Sequence, residues 1–172
     1  MAKKYYSTQV VEVGKDAANF INAGRMIVLF DDSMALPEVR NFSVLHSGNK
    51  LDDTIKPGDT IKIADSEFKI LKVGSDVQKN LINLGHMIIK FDGGMEEYFE
   101  SSIHVEDKPI PKIQFGDEIS IEEASNDLLS GKNAFISNGD SALGKSVAQA
   151  LTENGAKVIA DKDQADIIVE VK

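Results

Sequence analysis

Ile21-Asn22-Ala23-Gly24-Arg25-Met26-Ile27-Val28-Leu29-Phe30-Asp31 recurs further along the chain as Ile82-Asn83-Leu84-Gly85-His86-Met87-Ile88-Ile89-Lys90-Phe91-Asp92. Each copy follows a strand-like run ending in Val-Gly-x-Asp, at Val13-Gly14-Lys15-Asp16 and at Val73-Gly74-Ser75-Asp76. A second matched pair comes after each copy: Leu45-His46 ahead of Gly58-Asp59-Thr60-Ile61, and Ile103-His104 ahead of Gly116-Asp117-Glu118-Ile119. The region therefore reads as two copies of a roughly 60-residue unit. Two copies are too few for a solenoid. They suit a small closed β-barrel with pseudo-symmetry, because closure removes unpaired edges. In this alignment His104 is the counterpart of His46, and Arg25 is the counterpart of His86.

The local patterns around the repeat are those of short strands. Tyr5–Val13, Thr60–Ile63 and Phe68–Val73 are β-branched or alternate with period two, and Met26–Phe30, Met87–Phe91 and Ile119–Ile121 are short apolar runs. Pro57-Gly58-Asp59, Gly74-Ser75-Asp76, Asp92-Gly93 and Gly116-Asp117 supply turns between them. Asp16–Asn22 and Asp76–Leu84 read as helices. The pattern changes after Ile121. Asn133–Ser137 reads as a strand, residues 141–153 as a helix stopped at Asn154-Gly155, and Lys157–Ala160 and Asp166–Val171 as further strands. The expected architecture is mainly β: a barrel over residues 1–121, a linker over 122–131, and a small α/β module (β-α-β-β) over 132–172.

Composition narrows the chemistry. The chain has 172 residues, a net charge of -9 and no cysteine. The acidic balance argues against nucleic acid as a partner, because phosphate contacts need clustered Lys and Arg. Without cysteine there are no disulfides, thiolate metal sites or thiol nucleophiles. No apolar run approaches a membrane span, and Lys3-Lys4 lack the apolar stretch of a signal peptide, so the expectation is a cytoplasmic protein with no membrane insertion. The paired acids Asp31-Asp32, Asp52-Asp53 and Glu96-Glu97 read as solvated turns.

The chain's 3 histidines all lie in the repeated part. His46 follows Phe42-Ser43-Val44-Leu45 and precedes Ser47-Gly48-Asn49, so a strand-to-turn junction is expected to expose its ring. A neutral imidazole there is a candidate nucleophile, general base or metal ligand. His104 sits between Ile103 and Val105, which belong on the opposite face of a strand. His86 and Arg25 place a cation-capable residue in each copy, which suits an anion near the pseudo-twofold axis. No HxH or HxxxH spacing supports a metal site, and no serine stands in a nucleophile-elbow context.

Val13-Gly14, Leu84-Gly85-His86-Met87 with Phe91-Asp92-Gly93, Phe42 through His46, Lys56-Pro57-Gly58 and Ile103-His104-Val105 together resemble the glucitol/sorbitol-specific enzyme IIA component of the bacterial phosphotransferase system. The resemblance covers about residues 5 to 121 and implies a closed β-barrel. It implies a phosphocarrier that takes a phosphoryl group from HPr on a histidine. That group then goes to the IIB component, and on to the hexitol brought in by the membrane IIB/IIC components. His46 matches the family's phosphorylated histidine by its distance before Pro57-Gly58. The chain departs from the family pattern at the second histidine, two residues further on, where Gly48 stands. If that second histidine positions phosphate, His86 or His104 must take its place. Ser47 and Asn49, with backbone N–H groups, are the other candidate donors to phosphoryl oxygens. Such transfer asks the protein for positioning and charge stabilisation, and needs no cofactor or metal.

Gly139-Asp140-Ser141-Ala142-Leu143-Gly144-Lys145-Ser146 matches the P-loop pattern. Too little chain follows for the further strands and the magnesium-binding acid of a nucleotidase. The longer run Gly131–Ser146, with Asn154-Gly155-Ala156-Lys157-Val158-Ile159 and Asp161, resembles the first β-α-β of a short-chain dehydrogenase. That family's first two glycines fall on Asn138 and Ala142, and its Tyr-x-x-x-Lys region is absent. The segment therefore reads as a packing or interaction module. The alternative for the whole chain is a non-catalytic regulatory barrel that binds a ligand or partner and carries a nucleotide-binding-like module.

Overall fold

The alternation in Lys4–Val13 forms a long strand, β1, whose Tyr6, Thr8 and Val10 turn to one face and are all buried. In chain order there follow α1 (Ala17–Gly24), β2 (Met26–Asp31), α2 (Pro37–Arg40), β3 (Val44–Leu51), β4 (Thr60–Ile63), β5 (Ser66–Val73), α3 (Val77–Leu84), β6 (Met87–Lys90), β7 (Ser102–Val105) and β8 (Glu118–Glu122). This computed structural model describes residues 2–95, 99–124 and 128–172. Glu96-Glu97 and part of the expected linker, residues 125–127, lie outside the described residues. α2 was not apparent from the sequence; Pro37 at its first position, after an extended Leu36, starts it.

The eight strands close into a barrel in the order β1-β3-β2-β6-β7-β5-β4-β8. The pairs β2·β3 and β6·β7 are parallel and the others antiparallel. Exchanging β1 with β5, β2 with β6, β3 with β7 and β4 with β8 reproduces the same ring, so the two copies are related by a pseudo-twofold. The Val-Gly pair that ends β1 and β5 has one purpose in both halves. A Cβ on Gly14 would lie 2.2 Å from the Arg40 carbonyl oxygen, and one on Gly74 2.2 Å from that of Glu100. Only glycine lets these chain segments cross so closely.

Strand register corrects the alignment of the copies. Val10 pairs with His46 and Val13 with Val44, with a bulge between Val10 and Glu12. In the second half Ile70 pairs with Val105 and Val73 with Ile103, with a bulge between Ile70 and Lys72. The structural equivalent of His46 is therefore Val105, and that of His104 is Leu45. Likewise the residue ending α1 in the left-handed conformation is Arg25 (φ 46°), and the residue ending α3 that way is Gly85 (φ 57°). Arg25 thus matches Gly85 rather than His86, and the two cation-capable residues are not symmetry mates. Aligning Gly24 with Gly85 displaces the copies by one residue, which in a strand moves every side chain to the other face.

Ile27, Leu29, Val44, Ile61, Ile63, Phe68, Ile70, Met87, Ile89, Phe91, Ile103, Val105, Ile119 and Ile121 fill one continuous core. Fully burying each such side chain contributes about 1.5–3 kcal/mol. Ala2–Ala124 form one compact unit, and the chain from Ser125 onward forms another. In the latter, β9 (Asn133–Ile136), α4 (Ala142–Glu153), β10 (Lys157–Val158) and β11 (Ile167–Val169) make a parallel sheet of order β10-β9-β11. Ser141 caps α4, accepting from the Gly144 N–H at 3.0 Å.

Candidate functional site

β3 starts at Val44, whose side chain is in the core, and alternation puts His46 on that same face. His46 therefore lies inside a strand with 0% exposure, not at an exposed strand end as its neighbours Ser47-Gly48 suggested. β3 runs on to Leu51 because its paired strand, β1, extends that far.

Both ring nitrogens of His46 are hydrogen-bonded. Nε2 lies 2.6 Å from the Gly85 carbonyl oxygen, which can only accept, so Nε2 carries a proton. Nδ1 lies 2.6 Å from Thr8 Oγ1. The Thr8 hydroxyl also stands 2.9 Å from the Ser47 carbonyl oxygen. Burial pushes the His46 pKa below its ordinary value; the Gly85 carbonyl and the charge of Asp31 oppose that shift without cancelling it. The ring is accordingly neutral near pH 7, with its nucleophilic lone pair on Nδ1 in this arrangement.

Gly85 sits where nothing larger fits. A Cβ there would be 2.5 Å from Asp31 Cβ and 3.1 Å from His46 Cε1. This close approach, at the end of α3, brings the carbonyl to the imidazole. Asp31 pairs with His46 in strand register, and its carboxylate accepts from the Ser33 N–H (2.8 Å) and hydroxyl (2.5 Å). It also acts on Tyr6, whose phenol burial and this charge push well above its usual range. The Tyr6 hydroxyl is buried without a hydrogen-bond partner.

The sequence matches the family model of the phosphotransferase system glucitol/sorbitol-specific IIA component over residues 5–120. The chain belongs to this family. The glucitol/sorbitol-specific EIIA components of Shigella flexneri and Escherichia coli (strain K12) are each 26% identical to it over 106 residues, spanning 62% of this chain and 84% of theirs. A solved structure of a phosphotransferase-system IIA component from Enterococcus faecalis V583 superposes with a TM-score of 0.58 at 28% identity, covering 66% of this chain and 96% of that one. The barrel is thus a glucitol/sorbitol-type IIA component, and its role is that of a phosphotransferase-system phosphocarrier. Among the described residues, no helix is long and apolar enough to cross a membrane.

The other side chains expected around a IIA phosphoryl site are placed as follows. Ser47 contributes its carbonyl, which faces Thr8. Asn49 turns to α3 and donates to the Leu81 carbonyl at 3.0 Å. His86, next to Gly85, is half-buried, stacks on Phe30 at 4.5 Å between ring centroids, and has Nδ1 3.0 Å from the Leu29 carbonyl oxygen. Burial lowers its pKa. His104 is fully buried on β7 and donates from Nδ1 to Asp92 at 2.7 Å. β2 and β6 separate β7 from β3 in the barrel wall, and no hydrogen bond ties His104 to His46. Arg25 binds the Phe91 carbonyl (3.2 Å) and Asp107. Gly48, at the family's second-histidine position, faces open space.

Thr8, Gly85 and Asp31 surround His46, a placement that the sequence does not mark: Gly85 stands out there only within Leu84-Gly85-His86, and Thr8 not at all. Asp31 read as a solvated turn; Asp32 fits that description better, as the partner of Arg40 at 2.7 Å. Thr8 sits in Ser7-Thr8-Gln9, which resembles any polar strand face, so only pairing with β3 reveals its part. A shallow depression lined by Ser7, Thr8, Gln9, Ser47, Gly48 and Glu118 opens on the Thr8 side.

Proposed function

We propose that His46 is the residue that carries the phosphoryl group, receiving it from HPr and passing it to the glucitol/sorbitol IIB component for hexitol uptake through the membrane IIB/IIC components. The observation that carries this is an imidazole in an apolar core position that is hydrogen-bonded at both nitrogens, whereas the buried His104 has a partner for Nδ1 and, among the described residues, none for Nε2. Where the second half of the barrel has Val105, the first has His46, gripped at both nitrogens. Burying a polar ring in a barrel wall is unfavourable unless it is satisfied, and serves no packing need that valine does not meet. Its lowered pKa keeps a lone pair available at neutral pH.

Neither nitrogen is open in this conformation, so one of the two hydrogen bonds is released before transfer. The lone pair of the neutral ring then attacks phosphorus as the donor's phosphorus–nitrogen bond breaks. Ser47 and Gly48 line the depression on the Thr8 side of the ring, and the Ser47 hydroxyl and backbone N–H groups there would donate to phosphoryl oxygens arriving in it. On this reading the protein works in the cytoplasm, where phosphoryl donor and sugar phosphate are found.

The test is a two-step transfer. Phosphorylated HPr is mixed with the chain, the phosphorylated product is isolated, and the IIB component is added. The proposal predicts label on His46 after the first step and its loss to IIB in the second. Label that stays on the chain, or that never reaches it, contradicts the assignment.

A further inference from the structure

We propose that Thr8 is a positioning residue that holds His46 Nδ1 in both the neutral and the protonated ring by turning its single hydroxyl proton between Nδ1 and the Ser47 carbonyl. Thr8 is 2% exposed and has two partners within bonding distance, Nδ1 at 2.6 Å and the Ser47 carbonyl oxygen at 2.9 Å. A hydroxyl has one proton to donate and can accept as well. With the ring neutral and Nε2–H on Gly85, the Thr8 proton goes to the Nδ1 lone pair. With the ring protonated, Nδ1–H donates to Thr8 Oγ1, and the Thr8 proton turns to the Ser47 carbonyl. No buried group is orphaned in either state.

The consequence for phosphoryl transfer rests on the assignment of His46 made above, but does not depend on which nitrogen reacts. If Nδ1 attacks, the Thr8 proton must leave that lone pair, and the Ser47 carbonyl is its alternative acceptor. If Nε2 attacks, the ring proton resides on Nδ1 and donates to Thr8 Oγ1, which again sends the hydroxyl proton to Ser47. A side-chain rotor does this with a bond rotation, whereas Gly85 offers only a fixed backbone acceptor. Asp31, facing the ring from β2, is the charged group acting on it, and Tyr6 from β1 is the other titratable group acted on by Asp31.

Thr8→Val keeps the shape and removes the hydroxyl; Thr8→Ser keeps the hydroxyl and removes the methyl. Thr8→Ala stands in if valine prevents folding. The ring resonances of His46 are followed by NMR from pH 8 to 4.5, and the rate of phosphoryl acceptance from phosphorylated HPr is measured alongside melting temperature. The valine variant should titrate about one pH unit lower than the parent, because the imidazolium loses its Nδ1 acceptor. Its acceptance rate should fall about tenfold or more, and serine should restore both. An unchanged titration in Thr8→Val, or a serine variant as impaired as valine, overturns the proposal. If the parent chain takes no phosphoryl group on His46, the carrier assignment fails, while the titration still decides the role of Thr8.

Discussion

His46 and Val105 occupy equivalent positions in the two halves of the barrel. Each lies two residues beyond a core residue, Val44 or Ile103, and pairs across the wall with Val10 or Ile70. The neighbouring strands repeat the contrast, with Asp31 at the end of β2 where Phe91 continues the core alternation after β6. A polar pair in one half thus replaces an apolar pair in the other, and the pseudo-symmetry is broken at the residue proposed to carry the phosphoryl group.

Acid should weaken the fold earlier than the carboxylates alone would. The folded pKa values of His46 and His86 lie below the unfolded value of about 6.5. The unfolded chain therefore binds more protons as pH drops below that value, and the stability these groups contribute, complete above about pH 6.5, is lost from there downward. The depressed Asp53, Glu106 and Glu118 act only at lower pH. Urea unfolding between pH 8 and 5 should show falling stability below about pH 6.5. In His46→Gln the slope should shrink, and an unchanged slope would count against the burial argument.

Gly85→Ala should destabilise the barrel and displace His46. The new methyl must take a left-handed backbone (φ 57°) and would sit 2.5 Å from Asp31 Cβ. Strain of this kind costs about 1–3 kcal/mol, before the clash is relieved. Denaturant midpoints measure the cost, and the NMR signal of the Nε2 proton should shift or vanish as the Gly85 carbonyl withdraws.

Tyr5→Phe should cost about 1.5–3 kcal/mol, as for hydrogen bonds to charged groups. Asp59 is 4% exposed and accepts from the Tyr5 hydroxyl at 2.5 Å, the Lys56 N–H at 3.0 Å and the Ala124 N–H at 3.0 Å. Removing the phenol leaves a buried carboxylate short of one donor. Urea unfolding near neutral pH gives the difference, and a loss below about 0.5 kcal/mol would mean that Asp59 finds another donor.

A chain ending at Ala124 should fold and still accept a phosphoryl group at the parent rate. The barrel unit ends there, and the Enterococcus faecalis IIA structure is matched over 96% of its length by 66% of this chain. Circular dichroism and the acceptance assay check this. Lys145→Ala in the full chain should likewise leave acceptance unchanged.

Much of this architecture is legible in the sequence. The alternating and apolar runs, the Val-Gly-x-Asp punctuation and the doubled segment lead to a closed barrel, and the change of pattern after Ile121 to a separate α/β module. The register of the repeat is not legible. Gly24-Arg25-Met26 and Gly85-His86-Met87 align by identity, yet the chain puts Arg25 into the left-handed cap that Gly85 fills in the other copy. Identity rewards matching glycines, while the fold rewards matching core faces, and the two differ by one residue. Thr8 was hidden for a related reason. A threonine between serine and glutamine reads as a solvent face until pairing with β3 brings its hydroxyl beside the His46 ring. The family resemblance points to His46 by its place before Pro57-Gly58, but its burial is not legible in the sequence, because Ser47-Gly48 mimics a turn inside what is a continuous strand.

The central claim is tested most directly by intact mass. The chain is incubated with phosphoenolpyruvate, enzyme I and HPr at neutral pH, and weighed before and after brief acid treatment, beside His46→Gln and His104→Leu. One acid-labile phosphoryl group on the parent and on His104→Leu, and none on His46→Gln, is the predicted result. A phosphoryl group that persists in His46→Gln, or none on the parent with active partners, would contradict it.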